Sequence, residues 1–296
     1  MDDQHGMNKQ AGIDQECSVN QKEATISEGE TMIHEFSSIT PPTHWEIASE
    51  VLCNYMKNPE YLEDKLERQA IIPRYNMEPT EYLRLKGITR VCFPMICFCD
   101  IPLSKVSSHI SRYGSYGIGF DKNKIINKSK IQPIHYINPA SRLADDFRET
   151  FLKAYEGEVE ITEQNRILID YLVSTMVYMK PISEEVIVDN KVIAKNYQDE
   201  CEWRFIPLAI DSEIPLVLPQ DQTSELLQKH YNEIVLPNHS ETWMRFEWDD
   251  IRYLIVPDEA ANKRLIRKIH SLPLDLETQD YLISTIEISS HFGEDR

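Results

Sequence analysis

The chain has 296 residues, 41% hydrophobic and 27% charged, enough apolar material to bury a core in one large domain or two modest ones. Its 31 Lys and Arg against 49 Asp and Glu leave a formal net charge of −18, so nonspecific nucleic-acid binding is not expected, because phosphates are repelled before contact. No apolar run reaches the roughly 18 residues of a membrane span, and residues 1–30 are polar and acidic without a signal-peptide pattern, which predicts a cytoplasmic protein with no membrane partner.

Residues 1–30 lack apolar periodicity and are expected to form a mobile tail before a single domain over 31–296. TMIHEFSS alternates like a strand. Thr43 and Glu46 then stand in capping-box spacing, and Ile47, Ala48, Val51, Leu52 and Tyr55 recur with helical period, predicting a helix. A second helix is read in PEYLEDKLERQAI, ended by Pro73. ITRVCFP and MICFC are β-branched and aromatic runs parted near Pro94, and DIPLSKVSSHISRYG is a loop with a helical turn or two. SYGIGF and QPIHYI read as strands joined by DKNKIINKSKI. Residues 140–180 read as an inserted helical lobe. CEWRFIPLAI is a predicted strand, TSELLQKHYNEIVLP a helix running into a strand, and FEWDDIRYLIVP a strand pair or one bent strand. DEAANKRLIRKIHS is an amphipathic helix and YLISTIEISS a last strand. Helices and strands interleave without a steady βαβ beat, which favours the α+β class.

Of the chain's 9 glycines, Gly114, Gly117 and Gly119 fall within YGSYGIGF. The stretch is no Walker loop, and its G-x-G runs on into a strand and not into a helix, against a dinucleotide fingerprint. Glycine inside a strand marks a bulge or a close approach, or leaves room for a flat ring to lie on the sheet. In DECEWRF, Glu200, Glu202 and Arg204 would share one strand face, either in solvent or lining a cleft, with Cys201, Trp203 and Phe205 on the other. Asp100, Ser104 and His109 offer the composition of a hydrolytic triad, but no nucleophile elbow surrounds any serine. The 6 cysteines show no zinc spacing, Cys92, Cys97 and Cys99 lie in an apolar run, and the 9 histidines are scattered. Reduced thiols and no metal are therefore expected.

The segments PRY, CFCDIPLS, SRYGSYGIGF, QPIHYI, YMKP, ECEWRFIP and WDDIRYLIVPDE occur in the order of the AbiGi-type abortive phage-resistance family of bacteria, which the chain resembles over most of residues 31–270. That family is described as an antitoxin. The resemblance implies phage defence and, as partner, a toxin or another component of a defence system. A second, looser resemblance is to ADP-ribosyltransferases, which hold NAD in a split β-sheet. Their order of an early His or Arg, a middle strand of aromatic and small residues, and a late (E/Q)-x-E segment is matched by His34, by Tyr113–Phe120 and by Glu200-Cys201-Glu202. This resemblance implies a central mixed or antiparallel split sheet with flanking helices, with NAD as substrate. His34 would meet the adenosine-side ribose, Tyr113 or Tyr116 would stack on nicotinamide, and Arg74 would hold the pyrophosphate beside Tyr75. Glu202 would stabilise the charge of glycosidic cleavage, with Glu200 orienting the acceptor and Arg204 in the same wall. The alternative is a noncatalytic antitoxin that masks a basic toxin with its acidic surface.

Overall fold

The structure, a computed structural model, describes residues 49–155, 163–188, 191–207, 213–218 and 225–292. His34, the predicted tail and the TMIHEFSS strand lie outside the described residues. An eight-stranded sheet is assembled from β1 (Val51–Met56), β2 (Arg74–Pro79), β3 (Arg90–Cys99), β4 (Tyr116–Asp121), β5 (Gln132–Pro133), β6 (Glu202–Phe205), β7 (Ile251–Val256) and β8 (Ile286–Ile288). Its spatial order is β8-β7-β4-β1-β3-β6-β5, with β2 also on β3. Only β7 and β8 pair in parallel, so the sheet is mixed and mostly antiparallel.

The long strand β3 splits the sheet. Its first half, Arg90–Met95, pairs with β2, while Cys99 pairs with Cys53 of β1. The opposite edge of Ile96–Cys99 is taken by β6. Where β1 and β2 diverge, neither of the two pairs with Cys97, whose carbonyl takes a side-chain donor. The Asn54 side chain reaches it instead, donating from Nδ2 at 2.8 Å. A half-buried carbonyl at the fork is thus satisfied without closing the gap.

One face of the sheet carries Leu52, Ile96, Phe98, Ile118, Phe120 and Leu254. It is covered by α1 (Pro59–Arg68), α3 (Lys122–Ser129), α7 (Glu259–Ser271) and α8 (Leu276–Ser284), through Leu62 and Leu66, Ile125, Leu265 and Ile269, and Leu282. Helix α2 (Ser107–Tyr113) lies between β3 and β4 in the chain. Asp121, Asp258 and Asp275 cap α3, α7 and α8 by accepting from Lys124, Ala261 and Thr278 backbone N–H groups. Each such cap contributes about 1 kcal/mol. A second core, around Phe93, Met95, Phe147, Phe151 and Met176, ties α4 (Arg142–Tyr155) and α5 (Glu163–Met176) to the β2–β3 half. The architecture is α+β with flanking helices, and no described helix is long and apolar enough to cross a membrane.

Several local expectations are corrected. The helix expected through Val51–Tyr55 is strand β1 from Val51 onward. Its Val51, Leu52, Cys53 and Met56 are all buried, because β1 lies inside the sheet, and burial on both faces erases the alternation that marks a strand. Pro94 does not part β3. Opposite it, Tyr75 turns its N–H and C=O away to the Asn232 amide at 2.7 and 3.0 Å, so the ladder needs no donor from Pro94 at that rung. DKNKIINKSKI contains helix α3, and YLISTIEISS begins as the end of α8, with only Ile286–Ile288 in strand. The segment after α6 (Glu225–His230) stays helical through a π-turn at Tyr231–Val235 and forms no strand.

Candidate functional site

Strand β6 places Glu202 opposite Cys99 and Arg204 opposite Cys97, so these alternate residues share the sheet face away from α1, while Trp203 and Phe205 join the helix-side core. Glu200 is not on the strand. It ends a 3-10 turn, and Cys201, in left-handed backbone at φ 42°, turns the chain so that both acids reach one cavity of about 540 Å3.

A closed set of charges forms the cavity's wall. Glu202 accepts from Arg204 Nε on Oε1 and from Lys180 Nζ on Oε2, each at 2.6 Å. Glu200 accepts from Lys180 at 3.0 Å, from Lys195 at 2.8 Å and from the Tyr113 hydroxyl. Arg204 also donates to Glu78 at 2.9 Å and to the Val177 carbonyl at 2.7 Å. Glu78, Glu200 and Glu202 are thus matched by Lys180, Lys195 and Arg204, with the half-exposed Arg112 also 3.9 Å from Glu200. Burial alone would raise the Glu202 carboxyl, but the Arg204 and Lys180 charges and hydrogen bonds outweigh it and hold it at about 2. Burial opposes ionisation of Glu200 too, and Lys180, Lys195 and Tyr113 hold it below the usual range. Burial pushes Cys53 up to about 12 and Cys97 and Cys99 well up, so the thiols on the cavity floor stay protonated and are poor nucleophiles.

Helix α2 supplies the other wall. The His109 ring lies between Tyr113, centroids 4.4 Å apart, and Tyr55, 5.4 Å apart. Burial, partly opposed by Glu200, pushes the imidazole down to about 4. As pH falls, the unfolded chain therefore takes up this proton first, and stability is lost from about pH 6.5 down through 4. His109→Phe is expected to remove that loss. Urea midpoints at pH 7 and pH 5 check it: an equal drop in wild type and variant would show that His109 is not the group responsible.

Gly117 of β4 makes room for Tyr55, and Gly119 for Val51 and Cys53. A Cβ on Gly117 would stand 3.0 Å from the Tyr55 ring, and one on Gly119 would stand 2.9 Å from Val51 Cγ1 and 3.2 Å from Cys53 Sγ. Gly117 admits a ring onto the sheet, but it is a ring of β1.

Of the residues singled out in the sequence, Glu200, Glu202, Arg204 and Tyr113 come together. Arg204, fully buried, holds Glu202 from behind and does not line the cavity. Tyr116 packs into the helix-side core, on the other face of the sheet. Tyr75 is fully buried in a third core with Leu218 and Leu236, its hydroxyl donating to the Pro215 carbonyl at 2.5 Å, so it meets no cavity ligand. Arg74 faces a different cavity. Asp100 pairs with Lys122 and Ser104 is exposed, so they form no triad with His109. Sequence reading missed Lys180, Glu78, Lys195 and Tyr197, whose ring lies under Lys195 at 4.2 Å. Lys180 left one signal, a lone cation between Met179 and Pro181 in the quoted YMKP. Among the described residues no cluster of His, Cys, Asp and Glu is arranged to hold a metal ion.

Fold and site define an α+β protein whose split sheet encloses a charge-neutralised cavity. The family model described as "Putative abortive phage resistance protein AbiGi, antitoxin" matches residues 69–257. The abortive phage resistance protein AbiGi of Lactococcus lactis subsp. cremoris is 30% identical over 249 residues, covering 76% of this chain and 99% of that protein. The chain belongs to the AbiGi family of abortive phage resistance proteins, a phage-defence family. No solved structure matches the chain.

Proposed function

We propose that the protein acts in phage defence by binding NAD in this cavity and cleaving or transferring at its nicotinamide glycosidic bond. The observation that carries the reading is that Glu200 and Glu202, two residues apart, both open on one cavity of about 540 Å3, well inside the range of small-molecule sites. In the reaction, the bond between the ribose anomeric carbon and the nicotinamide nitrogen breaks and nicotinamide leaves with the bonding pair. Water or another nucleophile then bonds that carbon and loses its proton. Glu202, ionised at any physiological pH, faces the positive charge that develops on the sugar. Glu200 orients the acceptor, and the rings of Tyr113 and Tyr55 offer flat surfaces for nicotinamide.

Glu202→Gln tests this. It is expected to abolish NAD turnover and phage protection. It also costs stability, about 1–3 kcal/mol, because Lys180 and Arg204 lose a charged partner while keeping Glu200 and Glu78. A urea midpoint must accompany the assay to show a folded variant. Wild-type protein that neither binds nor consumes NAD overturns the reading. The family's description as an antitoxin favours a second reading, a noncatalytic partner of a toxin engaged through the acidic surface. On that reading the folded Glu202→Gln protein still protects. Both readings place the protein in the cytoplasm.

A further inference from the structure

On the α1 face of the same split lies a second cavity, of about 840 Å3. The two share Asn54, Tyr55, Asn76, Met95 and Cys97 in their walls, so they flank one gap in the sheet from opposite sides. Their charges differ. In the first, every cation is committed to a carboxylate. In the second, the acids are the committed ones: Asp64 to Arg68 at 2.7 Å, Glu63 and Glu60 to Arg264 at 2.6 and 2.9 Å, and Glu67 to Lys268.

Lys65 and Arg74 remain. Among the described residues, the half-buried Lys65 ammonium has only the Tyr61 carbonyl at 3.3 Å and the Met56 sulfur at 3.5 Å, neither an anion, and Arg74 makes no ion pair. Burial pushes the Lys65 amine down to about 8, with the nearby Arg74 charge adding to the effect and Asp64 opposing it. Two cations in one cavity wall thus lack an ion-pair partner among the described residues, since Asp64, the acid whose charge reaches Lys65, is held by Arg68, and a bound anion would supply the missing partner.

We propose that this second chamber binds the phosphate group of a phosphate-bearing small molecule, with Lys65 as a point charge and Arg74 as a bidentate donor. The proposal rests on the charges in this chamber and not on turnover in the first. Full-length protein is titrated calorimetrically with inorganic pyrophosphate, ADP and adenosine. Saturable binding of pyrophosphate and ADP, weakened at least tenfold by Lys65→Met or by Arg74→Gln and kept in Glu202→Gln, is the expected result. Tighter binding of ADP than of pyrophosphate identifies a nucleotide as the ligand, and equal binding identifies free phosphate compounds. The Met stem retains the Lys65 packing and Arg74 is exposed, so both variants fold. No saturable pyrophosphate binding, or affinity unchanged in both variants, overturns the assignment. Either result is separable from a failure of NAD turnover, which reads Glu202.

Discussion

Arg204→Met is expected to lower the stability of the folded protein by about 3–5 kcal/mol, measured as a shift of the urea midpoint at pH 7. Arg204 has no exposed surface, and its guanidinium is divided among Glu202, Glu78 and the Val177 carbonyl. Methionine matches the stem but leaves Glu202 with Lys180 alone, and Glu78 with only the same Lys180 at 3.9 Å. Both carboxylates then sit in low dielectric short of a charge, which costs far more than the intact arrangement contributes. Against a total of about 5–15 kcal/mol for a typical domain, the loss is large. Glu202→Gln combined with Arg204→Met should recover part of it, since one of the stranded charges is gone, and that non-additivity separates charge from packing. A shift below about 1 kcal/mol would mean that the carboxylates are hydrated and the charge set is not closed.

The same alternation that makes β6 legible explains why Glu202 and Arg204 could be placed on one face from sequence, with Trp203 and Phe205 opposite. The alternation also assigns Glu200 to that face, but Glu200 reaches the cavity from a turn, by way of the left-handed Cys201, which no periodicity reveals. The amphipathic helices α1 and α7 were readable because their buried Leu62, Leu66, Leu265 and Ile269 recur at helical spacing. Strand β1 was not, since a strand buried on both faces carries no period of two. The partners of the acids were hidden for another reason. Glu78, Lys180 and Lys195 lie in separate segments on different elements, and only the fold brings them within bonding distance of Glu200 and Glu202.

Gly114→Ala is expected to be destabilising by about 3 kcal/mol or more, and to draw His109 and Tyr113 out of the cavity wall. Gly114 ends α2 at φ 120° and ψ 160°, backbone that an L side chain rarely adopts. An added Cβ would also overlap the Met56 carbonyl and press on the Lys57 nitrogen, backbone at the end of β1 that cannot rotate aside. Relief requires α2 to move away from β1, and α2 carries His109 and Tyr113, so the Tyr113 hydroxyl leaves Glu200. Gly119→Ala gives the contrast. Its new Cβ meets only side chains, Val51, Cys53 and Tyr253, which can shift by the few tenths of an ångström needed, at a cost of about 1–2 kcal/mol. Urea midpoints should therefore rank Gly114→Ala well below Gly119→Ala, and only the former should change the Tyr113 environment by ultraviolet absorbance. The reverse ranking would mean that α2 is not anchored against the end of β1, and that Gly114 has no part in positioning Tyr113 against Glu200.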